Sequence, residues 1–261
     1  MHHMMLDHFA DRDSPVHRLD PVAKALAMLA VVLATVLVGR DRFLAFVPLA
    51  AGLAVYHALG RVPVGYTLRR LLIASPFALA VAGLFPFFEA GETVFAVPLG
   101  PWTLRATDAG LVRAANLLAK FLLAFWATLL LLATTRFQDV VGALGRLRVP
   151  RAFVAQLGFL YRYLWVLVDE VMRMRRAREA RDGGLGPWGA RFSSHAGLVG
   201  VLFLRTYDRA ERIYWAMAAR GFDGTLPAVR RGRLRPADWL FLAGVALGAA
   251  GILVADRLAH G

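Results

Sequence analysis

The residues best placed to do chemistry are two arginines at matching positions. One stretch closes Arg178-Glu179-Ala180-Arg181-Asp182-Gly183-Gly184, the other Ala218-Ala219-Arg220-Gly221-Phe222. Each offers a small residue, an arginine, and a glycine within two positions. Glycine there suits a left-handed helix C-cap. Ala180 and Ala219 let another surface approach closely. An arginine in a last helical turn complements the dipole. It also reaches past the helix end as a planar fork of five donors, matched to carboxylates or backbone carbonyls. The two copies together point to recognition rather than turnover.

Nothing else in the chain supplies turnover. Gly-x-x-x-x-Gly-Lys-[Ser/Thr] is absent, so ATP hydrolysis has to come from another chain. His-Glu-x-x-His and Gly-x-Ser-x-Gly are absent too, which removes two common hydrolase signatures. There is no cysteine, hence no disulfide, thiolate metal site or Cys nucleophile. Ser193, Ser194 and His195 read as a helix cap. His2 and His3, with His8 and His17 nearby, make a tail whose amine, amide nitrogens and His3 ring could hold Ni(II) or Cu(II) in a square plane. A solvated tail is the simpler reading. The expectation is a non-enzyme that binds no metal or cofactor of its own.

The elements that must position the arginines are unusually apolar. Of 261 residues, 58 % are hydrophobic, and the mean hydropathy is +0.54. Ordinary soluble domains hold ~45–50 %. The net charge of +13 comes from 29 Arg and 2 Lys against 18 acids. A soluble nucleic-acid binder would not need so much apolar sequence, so nucleic acid is not an expected partner. Residues 22–38, 43–59, 71–88, 114–134 and 239–255 form apolar runs long enough to cross a ~30 Å hydrocarbon core as helices. Period-two alternation is absent, which removes a barrel. The predicted fold class is all-α: a polytopic membrane protein with about five transmembrane helices. Asp20 and Pro21 mark the first helix start. The polar stretch before them has no signal-peptide pattern, so the N-terminus is expected to stay on the synthesis side.

Charge sets the expected orientation. Arg12, Arg18 and Lys24 precede or open the first run, and Arg61, Arg69 and Arg70 separate the second from the third. Residues 136–235 carry 19 Arg against 8 acids. Alternation from a cytoplasmic N-terminus puts these groups inside the inner (plasma) membrane and the C-terminus outside. Residues 89–113 read as a mixed-charge loop. Three parts follow: 1–135 with tail and four crossings, 136–235 as a cytoplasmic helical block, and 236–261 with the last crossing. Within the block, 137–147, 150–181 and about 196–220 read as helices. Asp169 is expected to pair with Arg173, and Arg175 with Glu179. The apolar part 153–168 could be a sixth crossing. It is read instead as lying along the membrane face, because crossing there would move the following arginines outside. Lys120 is an intramembrane charge, hence a functional suspect, or a group held by a carbonyl at a helix seam. Gly244 and Gly248 read as a small-residue packing face within the chain.

At this point the chain resembles a known family. Ser14-Pro15-Val16-His17-Arg18-Leu19-Asp20-Pro21-Val22-Ala23-Lys24 is similar to the segment leading into the first helix of the transmembrane T component of energy-coupling factor (ECF) transporters. The likeness is greatest to the cobalt/nickel-type (CbiQ-like) subgroup. Ala180-Arg181-Asp182 and Ala219-Arg220-Gly221 match its paired arginine motifs. Asp182 departs from the pattern, since the first motif more often has a small residue there. The resemblance implies long cytoplasmic coupling helices and three partners besides the lipid bilayer: two cytoplasmic ABC-type ATPase subunits, which bind ATP and Mg, and a membrane subunit that captures the substrate. It implies that Arg181 and Arg220 each dock into one ATPase subunit. It also implies a role in cobalt or nickel uptake, a vitamin-type substrate being the alternative. Rival readings are a membrane enzyme acting on anionic lipid phosphates and a scaffold for anionic lipid. The first lacks an acid–base constellation beside its arginines. The second needs only the basic block.

Overall fold

Asp20 opens the first helix as its sequence predicts. Its carboxylate accepts from the Val22 amide at 2.9 Å, and Pro21 takes the first helical position of α1 (Pro21–Leu37). In this computed structural model, which describes residues 12–39, 42–99, 102–182, 188–224 and 234–258, eight further helices follow. They are α2 (Phe43–Gly60), α3 (Val64–Ala82), α4 (Phe85–Phe88), α5 (Asp108–Thr134), α6 (Phe137–Arg146), α7 (Arg151–Asp182), α8 (Trp188–Ala218) and α9 (Pro236–Leu258). The chain divides into two compact units. One contains 144–182 and 188–224; the other contains the described residues before 144 and after 233.

The larger unit is a bundle of α1, α2, α3, α5 and α9. Its core holds Met28, Ala34, Phe46, Leu53, Leu123, Leu130 and Ala249 among others. Polar bonds fix which helix ends lie together. The Asp20 amide donates to Asp238 Oδ1 at 2.8 Å, so α1 and α9 start side by side. Asp238 Oδ2 accepts from the Arg235 amide at 2.7 Å. Lys24 Nζ donates to the Thr134 carbonyl at 2.7 Å, and Tyr56 OH lies 3.1 Å from Thr134 Oγ1. The start of α1, the end of α2, the end of α5 and the start of α9 therefore share one end of the bundle. At the opposite end, Lys120 Nζ donates to the carbonyls of Val36 (2.9 Å) and Val38 (2.7 Å). Lys120 thus serves the orphan carbonyls at the end of α1, which is the helix-seam alternative of its two readings.

His57 is nearly buried and its tautomer follows from its neighbours. Trp126 Nε1 can only donate, and it meets His57 Nδ1 at 3.2 Å. Nδ1 must accept, so Nε2 carries the proton and donates to the Val62 carbonyl at 2.9 Å. On the surface, Arg18 binds Asp13 through two hydrogen bonds. That hydrogen bond and the guanidinium charge hold the Asp13 carboxyl below its ordinary value.

Three findings adjust the sequence reading. First, a helix of the smaller unit, Arg151–Arg181, is also long and apolar enough to cross a membrane, alongside α2, α3 with α4, α5 and α9, while α1 is an apolar helix of the 17 residues its run predicts. Second, the expected loop 89–113 contains an antiparallel hairpin, β1 (Thr93–Leu99) and β2 (Trp102–Thr107). Thr107 Oγ1 then accepts from the Gly110 amide at 3.3 Å and so caps α5. Third, Gly244 and Gly248 are not packed: a Cβ on either would meet nothing within 4 Å. Gly110, by contrast, is tightly packed: a Cβ there would sit 2.5 Å from Pro86 Cα and 2.7 Å from the Phe85 carbonyl oxygen. Those are backbone atoms and cannot swing away. Gly110→Ala is expected to destabilise by ~1–3 kcal/mol through overpacking, seen as a lower melting temperature of the purified chain in detergent.

Candidate functional site: two exposed arginines on a helical hairpin

The smaller unit is built on α7 and α8. Two contacts fix their relative direction. Glu170 accepts from Arg205 at 2.7 Å. Farther toward the start of α7, Phe159 meets Phe222, just past the end of α8, edge-on at 6.1 Å. Positions falling along α7 thus meet positions rising along α8, so the two helices are antiparallel. Glu170 also accepts from Arg173 at 2.6 Å, and Arg175 binds Glu179 at 2.7 Å. The second pair is the expected one. The first is not: Arg173 takes Glu170 rather than Asp169, and the same carboxylate also binds Arg205.

Arg220 stands at a sharply defined helix end. Gly221 has φ +76°, in the region that costs other residues a Cβ clash. The Phe222 amide donates to the Met217 carbonyl at 3.0 Å, and the Gly221 amide to the Ala218 carbonyl at 3.0 Å. Those two bonds form a Schellman motif, and the Phe222 ring that completes it packs on Phe159. Arg220 is therefore anchored within one residue of a rigid cap. Ala219, Arg220 and Gly221 are all exposed.

Arg181 lies in the last turn of α7, with Ala180 before it and Asp182 as the final helical residue; Ala180 and Arg181 are exposed. Gly183 and Gly184, expected as its cap, lie outside the described residues. Among the described residues neither Arg181 nor Arg220 has an ion-pair or hydrogen-bond partner, whereas Arg173, Arg175 and Arg205 are bound to carboxylates. The two free guanidiniums are also far apart. From Phe159, beside the α8 cap, to Arg181 is about 33 Å of helix at 1.5 Å per residue. The site is a pair of separate plugs rather than one pocket.

Other sequence candidates fall away from this arrangement. Ser193, Ser194 and His195 lie inside α8, which begins upstream at Trp188, so they are not a cap. His2, His3 and His8 lie outside the described residues. Among those described, no group of three or more His, Asp or Glu could hold a metal ion. Sequence reasoning missed the Glu170 bridge between α7 and α8; the adjacent acids Asp169 and Glu170 among arginines were its only signal.

A bundle of apolar helices with a cationic helical hairpin defines a multi-pass helical membrane protein. Residues 12–229 match the profile of the cobalt transport protein family, CbiQ, and the chain belongs to that family. It is the T component of an ECF transporter, of the cobalt-type subgroup. It is 29 % identical over 265 residues to the energy-coupling factor transporter transmembrane protein EcfT of Listeria innocua, covering 92 % of each chain. It is 30 % identical over 158 residues to the cobalt transport protein CbiQ of Salmonella typhimurium, covering 58 % of this chain and 69 % of that one. It is 28 % identical over 223 residues to a putative fused cobalt transport protein, CbiMQ, of Methanocorpusculum labreanum. That alignment covers 80 % of this chain but only 37 % of the fused protein.

Proposed function

We propose that this chain couples two cytoplasmic ABC-type ATPase subunits to a substrate-capture membrane subunit, and that Arg181 and Arg220 are the two docking plugs. The observation that carries the reading is the pair of exposed guanidiniums, without a partner among the described residues, at well-separated helix ends. A partly desolvated, bidentate arginine contact contributes ~1.5–3 kcal/mol. A separation of about 33 Å suits one plug per ATPase. Closure of the ATPases then moves a stiff antiparallel pair as a rigid body. ATP and Mg belong to the partner chains, and this chain is not itself an enzyme. Asp182 places a carboxylate next to the first plug, and the groove receiving it has to accommodate that charge.

Helix order supports the sidedness. Thr134, where α5 ends, and Asp238, where α9 starts, lie at the same end of the bundle. A lone crossing by α7 would not return the chain to that end, and α8 is not among the helices apolar enough to cross. This favours α7 lying along the membrane face. The same end carries Arg18, Lys24 and Arg61, with Arg69 and Arg70 in the first two turns of α3. The positive-inside bias therefore makes it cytoplasmic, with the C-terminus outside.

The proposed solute is cobalt or nickel ion: the family description and the names of two relatives say cobalt, and nickel rests on the subgroup resemblance alone. The test is uptake of each ion by cells producing this chain with its ATPase and capture partners. Arg220→Lys keeps the charge but loses the fork. It should cut uptake about tenfold, a loss of ~1.4 kcal/mol, at unchanged protein level. Wild-type uptake in the lysine variant would count against the docking role. Transport of a vitamin in place of either ion would overturn the substrate.

A further inference from the structure

The hairpin β1–β2 fills no role in the docking account, and its composition suits neither water nor hydrocarbon. From Thr93 to Thr107 the sequence reads Thr-Val-Phe-Ala-Val-Pro-Leu-Gly-Pro-Trp-Thr-Leu-Arg-Ala-Thr, with Arg105 its one charge. Past Thr93, β1 has no polar residue, so neither of its alternating faces has polar groups to offer to water. A ribbon of two strands is also marginal by itself in water. Yet its edges carry backbone groups that cannot be left dry in hydrocarbon. A layer that is apolar on one side and wet on the other meets both demands.

The base of the hairpin sits at such a layer. Val64–Phe88 is one candidate span. Its residues 71–88 carry no charge and are about 27 Å long at 1.5 Å per residue, close to a ~30 Å hydrocarbon core. Phe88 therefore falls at the boundary, with Glu89 just beyond it. Ile73, Phe77, Leu84 and Phe88, spaced four or seven apart, are all exposed, so one lipid-facing stripe continues from α3 into α4. Val94 and Phe95, at the start of β1, are exposed too. Thr107 Oγ1 donates to the Glu89 carbonyl at 2.9 Å, and the Asp108 amide to the Glu92 carbonyl at 3.1 Å. Arg113 pairs with Glu89 and lies over the Phe85 ring, 4.9 Å from its centre. These contacts tie the hairpin base to α4 and α5 at the level of Glu89.

We propose that the hairpin lies along the hydrocarbon–headgroup boundary of the bilayer, at the end of the bundle opposite Asp238. Phe88 and Phe95 enter lipid, and the strand edges stay among headgroups. Lipid is the occupant because this apolar surface continues the stripe that α3 turns to the bilayer, and aromatic side chains favour that level. The hairpin is then an in-plane anchor that fixes the depth of α3 and α5. Its placement depends neither on the arginine plugs nor on which end faces the cytoplasm.

The chain has no cysteine, so a nitroxide can be attached at Phe77→Cys, Phe88→Cys, Glu92→Cys or Phe95→Cys, all exposed positions. Each full-length variant is reconstituted in phosphatidylcholine vesicles. Power-saturation EPR compares collisions with oxygen, which partitions into lipid, and with a water-soluble nickel chelate. Labels at 88 and 95 should show an oxygen-to-chelate ratio at least about fivefold above that of the Glu92 label, as for aromatic positions at an interface. The label at 77, deeper on α3, should show a higher ratio still. A label at 95 as open to the chelate as that at 92 overturns the proposal, because the hairpin then stands in water. A label at 95 shielded from both reagents overturns it too, since protein and not lipid covers the position. So does loss of its oxygen contact when the transport partners are added. Hydroxyl-radical footprinting of the unsubstituted chain in the same vesicles needs no variant. It should leave Phe95 unmodified, and oxidation of that ring counts equally against the anchor.

Discussion

Arg181→Glu combined with Arg220→Glu is expected to abolish co-purification of the ATPase subunits while the chain still inserts in the membrane. Each arginine is exposed, at a helix end, without a partner among the described residues, so reversing its charge removes nothing that holds this chain together. Charge reversal therefore separates docking from folding. Losing two contacts of ~1.5–3 kcal/mol each weakens association by about a hundredfold to ten-thousandfold, at ~1.4 kcal/mol per decade. New repulsion against an acidic or carbonyl-lined groove adds to that. Single reversals should leave partial pull-down, because the plugs sit on separate helix ends. Wild-type yield of ATPases with the double variant would end the docking assignment. The Asp169–Glu170 segment serves as the control surface, since Glu170 is already bound to Arg173 and Arg205 inside the chain.

Asp238→Ala is expected to have the largest effect on the bundle itself. Asp238 is almost fully buried, and its two oxygens accept from the Asp20 and Arg235 amides. Removing the carboxylate leaves two backbone donors at the starts of α1 and α9 without it. An unsatisfied buried donor costs ~1–3 kcal/mol, so the variant should lose about 2–5 kcal/mol. The loss reads as a lowered melting temperature and as earlier proteolysis between α8 and α9. Asp238→Asn keeps one acceptor oxygen and should recover part of the stability. An unchanged melting temperature in the alanine variant would show that the joint between α1 and α9 rests on packing alone.

The elements of this fold differ in how plainly the sequence announces them. Asp20-Pro21 marks its helix start because capping is local: the side chain and the amide it serves are two residues apart. Gly221 marks its helix end for the same reason. Arg175 and Glu179 meet because a helix brings positions four apart together. Longer-range joints leave no such trace. Nothing near Asp238 in the chain indicates that its carboxylate serves Asp20, 218 residues away. The hairpin at 93–107 hides among Gly, Pro and Trp that equally suit a loop. Glu170 binds Arg173 three positions on and Arg205 on another helix, and the second contact leaves no mark in the local spacing. Gly244 and Gly248 carry the spacing of a packed helix pair, yet spacing cannot tell whether a helix fills the facing space.

The lack of cysteine makes the decisive measurement clean, because any introduced thiol is unique. Ser193→Cys places a thiol on an exposed position of α8, and Glu92→Cys places one beside the hairpin at the opposite end of the bundle from Asp238. Each is treated with a membrane-impermeant maleimide in inside-out and right-side-out vesicles. Labelling of position 193 only in inside-out vesicles, and of position 92 only in right-side-out ones, is the expected result. Labelling of position 193 from the outer face would put both guanidiniums where no ATP-driven subunit exists, and the coupling role would fail with it.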